Sequence, residues 1–326
     1  MRRNWKACDE GCNLRKGLLE LLDMNSKSLV VSAFYKFIRI PSAEVPTVKR
    51  RLEDFAARTA LRGLVVLGSE GINSTCCGPL EVIAELKKFL AEDLFPGEVI
   101  THKDSECSTM PFERFKVDVR PEIVTIKNQE ISAAEGEGTH LTPTQWNEML
   151  QNDPNVILID TRNDYENEIG MFENAIDPKI QKFSDFKAFM ERENYPKDKK
   201  VLLYCTGGIR CEKAVPEVMR LGYKSVYQLE GGILKYLEEY PEGRFKGECF
   251  VFDRRVAVDS NLQPTKVYKS CPHCGNPGKE HISCANCGSD AVICHHCHEQ
   301  LERRACSKNC AYHLRRKASK KTTASS

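Results

Sequence analysis

No stretch of this 326-residue chain approaches the roughly 18 consecutive apolar residues that a membrane-spanning helix requires. A helical membrane protein is therefore not expected. Met1 to Glu20 mixes Arg, Lys, Asp and Glu with no apolar core, so a secretory leader is not expected either. There is no internal repeat, and no flavin, haem or two-histidine-one-carboxylate iron motif. Acidic residues are missing from Arg303 to Ser326, a segment that holds eight Lys or Arg. The net charge of +2 hides this asymmetry, since the rest of the chain carries 40 basic against 46 acidic residues. A basic tail on an acidic body favours an anionic partner such as RNA, although a solvated, disordered tail gives the same pattern. At 41% hydrophobic and 29% charged residues, the composition is that of a soluble protein with two or three compact units.

The sixteen cysteines are unevenly placed. Eight lie between Cys271 and Cys310, spaced Cys271-x2-Cys274, Cys284-x2-Cys287, Cys294-x2-Cys297 and Cys306-x3-Cys310. Short turns of this kind present two thiolates to one tetrahedral ion, so four pairs suffice for two structural Zn²⁺. Spacing does not decide between sequential and cross-braced pairing, and His273, His281, His295, His296 or His298 could replace a thiolate. Without a leader, the other eight cysteines are expected as thiols in the reducing cytoplasm.

Hydrophobic periodicity divides the chain. Residues 1–27 read as an extension. Residues 28–130 carry strands at Leu29–Ile38, Leu64–Leu67, Ile72–Cys76, Glu98–His102 and Phe115–Ile126, and helices at Val45–Leu61 and Pro79–Leu94. The order βαββαβ predicts an α+β, ferredoxin-like (acylphosphatase-like) domain. After a Gly136–Glu137–Gly138 linker, residues 139–240 alternate strands (Val156–Asp160, Val201–Tyr204, Ser225–Leu229) with helices (Thr142–Leu150, Phe183–Glu193, Cys211–Leu221). That alternation predicts an α/β domain with a parallel sheet covered on both faces. A connector (241–268), a cysteine-rich module (269–313) and a basic, disordered tail (314–326) complete the expected organisation.

The chemistry centres on Cys205-Thr206-Gly207-Gly208-Ile209-Arg210-Cys211, a loop between an apolar strand and a helix N-terminus. Open α/β sheets bind ligands at the carboxyl ends of their strands. Gly207 and Gly208 let the backbone N–H groups turn inward, and these dipoles, the helix N-terminus and Arg210 all favour an anion. Cys205 should therefore be a low-pKa nucleophile.

Cys205-x4-Arg210, Asp160-Thr161-Arg162 and Gly231-Gly232 together resemble the rhodanese domain. Phosphatases with a related cradle space Cys and Arg one residue further apart, so this shorter ring suits a sulfur-sized group. Five segments extend the resemblance: Glu70–Asn73, Asp160–Glu166, CTGGIRCEKA from Cys205, LEGGILKYLEE from Leu229 and GECFVFDRR from Gly247. The chain is similar over residues 30–313 to the rhodanese-containing tRNA uridine hydroxylases, which use dioxygen to make 5-hydroxyuridine at the wobble position. That resemblance implies Cys205 as the essential cysteine, dioxygen as co-substrate and a tRNA anticodon loop as partner. A persulfide-carrying sulfurtransferase and a non-catalytic zinc-anchored adaptor are the rival readings.

Other candidates carry weaker signals. Cys211 could resolve an oxidised Cys205 or simply pack. Asp160 and Arg162 read as a pair bracing the loop. Phe112, Arg114, Lys116 and Arg120 place aromatic and basic residues together, and Arg303, Arg304, Lys308, Arg315, Arg316 and Lys317 would face RNA phosphates from the metal module.

Overall fold

The structure, a computed structural model, describes residues 28–128, 131, 133 and 139–323, with side chains to 317. The extension 1–27, the linker 136–138 and the last three residues of the tail lie outside the described residues.

The first domain is built from β1 (Leu29–Phe37), α1 (Val45–Ala57), β2 (Arg62–Gly68), β3 (Gly71–Pro79), α2 (Leu80–Lys88), β4 (His102–Cys107) and β5 (Phe115–Val119). Its sheet runs β4-β1-β3-β2-β5, antiparallel except for the parallel β2–β5 edge. The first four strands make the predicted βαββαβ pattern, and β5 extends it. Val45, Val48, Leu52 and Phe55 form the buried stripe of α1 against Val65, Leu67 and Ile72 of the sheet. Pro79 closes β3 and caps α2, whose last turn widens into a π-helical segment over Phe89–Leu94.

Two elements differ from expectation. The fourth strand begins at His102, where Glu98–His102 was expected, and the fifth ends at Val119 rather than Ile126. The sequence His-Lys-Asp-Ser-Glu-Cys has almost no apolar signal. It pairs with β1 all the same, because strand pairing is set by backbone hydrogen bonds and Ser32 Oγ donates to Asp104 Oδ1 at 2.7 Å.

The second domain adds β6 (His140–Leu141), α3 (Pro143–Asn152), β7 (Ile157–Asp160), α4 (Asp164–Asn167), β8 (Gly170–Phe172), α5 (Phe186–Glu193), β9 (Lys200–Tyr204), α6 (Cys211–Arg220), β10 (Ser225–Leu229) and α7 (Gly232–Glu239). Its parallel sheet runs β6-β10-β9-β7. The central strand β9 is covered on both sides, which is why its Val201–Tyr204 run is continuously apolar. Downstream, β11 (Phe245–Gly247) returns to pair with β8, and β12 (Cys249–Phe250) pairs with β13 (Ala257–Val258).

The two domains are latched by charge. Lys213 of α6 is 2% exposed and donates from Nζ to Glu70 Oε1 (3.0 Å), Glu122 Oε2 (2.7 Å) and the Val124 carbonyl (3.0 Å). On the other side Arg255, held bidentately by Asp253, donates to Ser105 Oγ of β4 at 2.9 Å. Arg254 pairs with Glu113.

The cysteine-rich module contains β14 (Lys269–Ser270), β15 (Pro277–Gly278), β16 (Glu280–Ser283), β17 (Asp290–Ile293), α8 (His295–His298) and α9 (Lys308–Thr323). Helix α9 corrects the expectation of disorder from residue 314. Ser307 starts it by accepting the Cys310 N–H, buried Ala311 and half-buried Leu314 pack it on the cysteine cluster, and Lys317 reaches Asn286. Its Ala, Lys and Arg content favours helix once the first turn is anchored.

Candidate active site and metal centres

Cys205 follows β9 directly, and its loop closes onto α6. The loop is pinned from three sides. Thr161 donates its hydroxyl to the Tyr204 carbonyl at 2.9 Å. The first N–H groups of α7, from Ile233 and Leu234, donate to the carbonyls of Cys205 (3.0 Å) and Thr206 (3.1 Å). That contact explains Gly231–Gly232: Gly232 has φ +67°, and a Cβ there would stand 2.5 Å from the Cys205 carbonyl oxygen. Inside the loop, the Gly208 N–H donates to Cys205 Sγ at 3.1 Å, with Gly208 at φ +99°.

Burial alone would push the Cys205 thiol up. A hydrogen bond from Cys211, the Arg210 charge and the N–H groups of Arg210 and Gly208 outweigh it and bring the thiol down to about 6. Cys211 moves in the opposite direction, because burial and the neighbouring Cys205 thiolate both oppose its ionisation. One proton is thus shared unequally, and Cys205 is the thiolate.

Glu166 ends the Asp160–Glu166 segment, and nothing local in that segment marks a role for it. It is fully buried at the end of α4 and accepts from Arg210 Nη2 through both oxygens, at 2.9 and 3.0 Å. The carboxylate fixes the guanidinium beside the loop, while Arg210 Nη1 stays buried without a protein partner among the described residues. Asp160 and Arg162 form a second, fully buried fork, and Arg162 Nη2 also reaches the Gly170 carbonyl at 2.6 Å. This pair does not line the cavity at Cys205; it ties β7 to β8.

That cavity, about 410 Å³, lies between the two domains. Its floor is Cys205, Thr206, Gly207 and Ile209. Its walls come from the first domain (Phe34, Tyr35, Asn73, Lys103, Arg120) and from Phe252, whose ring is 56% exposed and stacks under Arg210 at 5.7 Å. Tyr35 donates to Glu212 Oε1 at 2.7 Å, and burial together with that carboxylate raises its pKa far out of reach. Tyr35 and Lys103 also border a neighbouring groove of about 820 Å³. Neither residue was flagged by the sequence. Sequence signals exist only for their strands, and the Lys103 strand starts four residues later than its apolar pattern predicts.

The eight module cysteines form two quartets with sulfurs within 4.8 Å of one another: Cys271, Cys274, Cys294 and Cys297, and Cys284, Cys287, Cys306 and Cys310. Pairing is interleaved, the first CxxC with the third and the second with the fourth. The histidines stand outside both groups; His273 is bonded to the Ala305 carbonyl and His296 pairs with Glu168. All-thiolate tetrads can each hold one metal ion in a closed, structural site.

The basic candidates separate. Arg303 donates to Cys297 Sγ (3.4 Å) and Arg304 to the His298 carbonyl (2.8 Å), so both serve the module itself. Lys116 and Arg120 both pair with Asp118, and Phe112 packs with Cys77 and Cys107 rather than standing out as a stacking ring. Arg114, Arg315 and Arg316 are exposed, Arg316 lying over Tyr312.

A parallel-sheet domain with a thiolate in a curled Cys-x4-Arg loop defines a rhodanese-type cysteine protein. Family models agree: residues 142–239 match the rhodanese-like domain, 29–123 the UPF0176 acylphosphatase like domain and 246–311 the rhodanase C-terminal segment. The chain is 45% identical over 297 residues to a Bdellovibrio bacteriovorus protein named tRNA uridine(34) hydroxylase, covering 91% of this chain and 84% of that one. A Synechococcus elongatus protein of the same name is 40% identical, over 84% of this chain and 97% of its own. This chain belongs to the tRNA uridine(34) hydroxylase family. Among solved structures, a rhodanese-like domain from Anabaena aligns with 33% of this chain and 79% of its own at 17% identity and TM-score 0.29, a likeness on which nothing rests.

Proposed function

We propose that this protein hydroxylates uridine 34 of tRNA to 5-hydroxyuridine, with dioxygen as co-substrate and Cys205 as the reacting thiolate or the carrier of a persulfide. The observation that carries the reading is the identity of 40–45% over most of the chain to proteins bearing that name, with the thiolate-forming loop intact. In this reading the Cys205 sulfur adds to C6 of the uracil ring and C5 becomes enolate-like. C5 then takes one oxygen atom of dioxygen while the other leaves as water, reduced by a two-electron thiol donor, and loss of the C5 proton with expulsion of the Cys205 sulfur restores the ring. A cavity of about 410 Å³ walled by Phe34, Tyr35 and Phe252 suits a single splayed base, the form in which single-stranded RNA is read.

The anticodon loop would approach across the cleft between the domains, with Arg114, Arg315 and Arg316 as exposed phosphate contacts and Lys116 at the β5 edge. Two Zn²⁺ ions would sit in the thiolate quartets and hold the module folded. No helix among the described residues is long and apolar enough to cross a membrane. A cytoplasmic site of action fits a tRNA substrate. No flavin or haem is called for.

The test is nucleoside mass spectrometry of tRNA from cells lacking this gene and the prephenate-dependent route to the same nucleoside. Wild type is expected to restore 5-hydroxyuridine and Cys205→Ser is not. If neither restores it while thiosulfate is turned over, sulfur transfer takes the place of this reading.

A further inference from the structure

Four cations line the Cys205 cavity: Lys103, Arg120, Arg210 and Arg255. Three are already neutralised by carboxylates. Arg120 pairs with Asp118, Arg210 with Glu166 and Arg255 with Asp253. Lys103 stands apart. It enters from β4 of the first domain, and its Nζ lies 5.0 Å from the centroid of the Tyr35 ring. Among the described residues no oxygen accepts a hydrogen bond from that ammonium within bonding distance, and a π face satisfies none of its donors as an oxygen would. Lys103 is half-buried, so its donors are completed by water or by a ligand that enters the cavity.

We propose that Lys103 binds a carbonyl oxygen of the uracil ring and holds the negative charge that gathers there when Cys205 adds to C6. The inference rests on the hydroxylase reading and assigns the residue that stabilises its first step. The balance is closed without an oxidant. The thiolate pair forms the S–C6 bond, the C5–C6 π pair moves through C4 onto O4, and Lys103 keeps its proton while donating a hydrogen bond to O4. Protonation of C5 from solvent and loss of the original C5 hydrogen exchange that position, and expulsion of the thiolate returns uridine.

The surroundings agree. Burial lowers the Lys103 pKa, while the negative charges of Cys205, Glu238 and Glu212 act to keep it cationic. Tyr35, fixed by its bond to Glu212, holds the ammonium over its ring, and both residues line the cavity floored by Cys205. A preorganised donor aimed at developing charge is worth about 10²–10³ in rate.

The exchange reaction provides the test. The full-length protein is incubated without dioxygen with substrate tRNA tritiated at uridine C5, and tritium release to water is followed against tRNA concentration. Wild type is expected to release tritium and Cys205→Ser to release none. Lys103→Met should lower the maximal rate by about 100-fold with KM for tRNA changed less than about two-fold, and Lys103→Arg should recover part of the loss. Exchange by Lys103→Met at the wild-type rate overturns the proposal. So does a raised KM with an unchanged maximal rate, which would make Lys103 a phosphate contact. Wild-type protein that restores 5-hydroxyuridine in cells but shows no exchange overturns the Lys103 role and leaves the hydroxylase reading standing. Failure in cells removes that reading, and this inference with it.

Discussion

At the scale of single residues, the site is an exercise in making one thiol acidic inside a protein. Desolvation works against it, and the Gly208 N–H at 3.1 Å, the Cys211 thiol and Arg210 must together exceed that cost. The sign follows directly. With its pKa lowered to about 6, Cys205 is mostly thiolate at pH 7 and is protonated as pH falls through that value. Iodoacetamide alkylation of Cys205 is therefore expected to rise with a midpoint near 6, well below the roughly 8.5 of an ordinary thiol. Arg210→Met should move that midpoint upward and slow alkylation at pH 7. Glu166 makes a different contribution. Glu166→Ala leaves a buried guanidinium uncompensated and is expected to cost about 3 kcal/mol, read as a lower midpoint in urea unfolding. Cys205 and Arg210 were legible because loop spacing and glycines are local facts. Glu166 was not, because its partner lies 44 residues away and only the packed sheet brings them together.

At the scale of elements, the motifs quoted from the sequence turn out to be fasteners as often as chemistry. Glu70 from the β2–β3 turn and Lys213 from α6 are one ion cluster seen from two segments. Gly231–Gly232 lets α7 approach the loop it caps. Gly232→Ala would drive a Cβ into the backbone of Cys205 and Gly208. It is expected to abolish the alkylation midpoint near 6 while far-ultraviolet circular dichroism stays close to wild type. Lys213→Met removes a cation shared by two partly exposed carboxylates. A loss of about 2 kcal/mol is expected, read as a lower midpoint in urea unfolding. Strand β4 carries little of the usual strand signal. A strand is recognised by apolar alternation, and β4 spends its alternate positions on Lys103, Ser105 and Cys107, which serve the cavity, the Arg255 bond and a small thiol cluster. The element that completes the site is the one that least resembles a strand.

At the scale of the whole molecule, the βαββαβ and α/β layers were legible from period and order, since each domain's hydrophobic pattern is set by its own core. The cleft between them was not, because no local pattern encodes how two finished domains face each other. Metal pairing was likewise open until the chain was folded, as two arrangements share identical spacings. A double substitution separates them: Cys271→Ser with Cys294→Ser removes ligands from one quartet only. Metal analysis of the purified variant is expected to find one ion lost, where sequential pairing would lose both.

The interleaving also bears on how the chain is made. A ribosome delivers residues in order, so Cys271, Cys274, Cys284 and Cys287 emerge while Cys294 is still inside it. For that interval the nascent segment offers one complete set of four thiolates, and it is the wrong one. Zinc captured early would hold a ring that the finished module must reopen, because Cys284 and Cys287 belong with Cys306 and Cys310. Any metal ion taken up in that interval must change two of its ligands before the module can close.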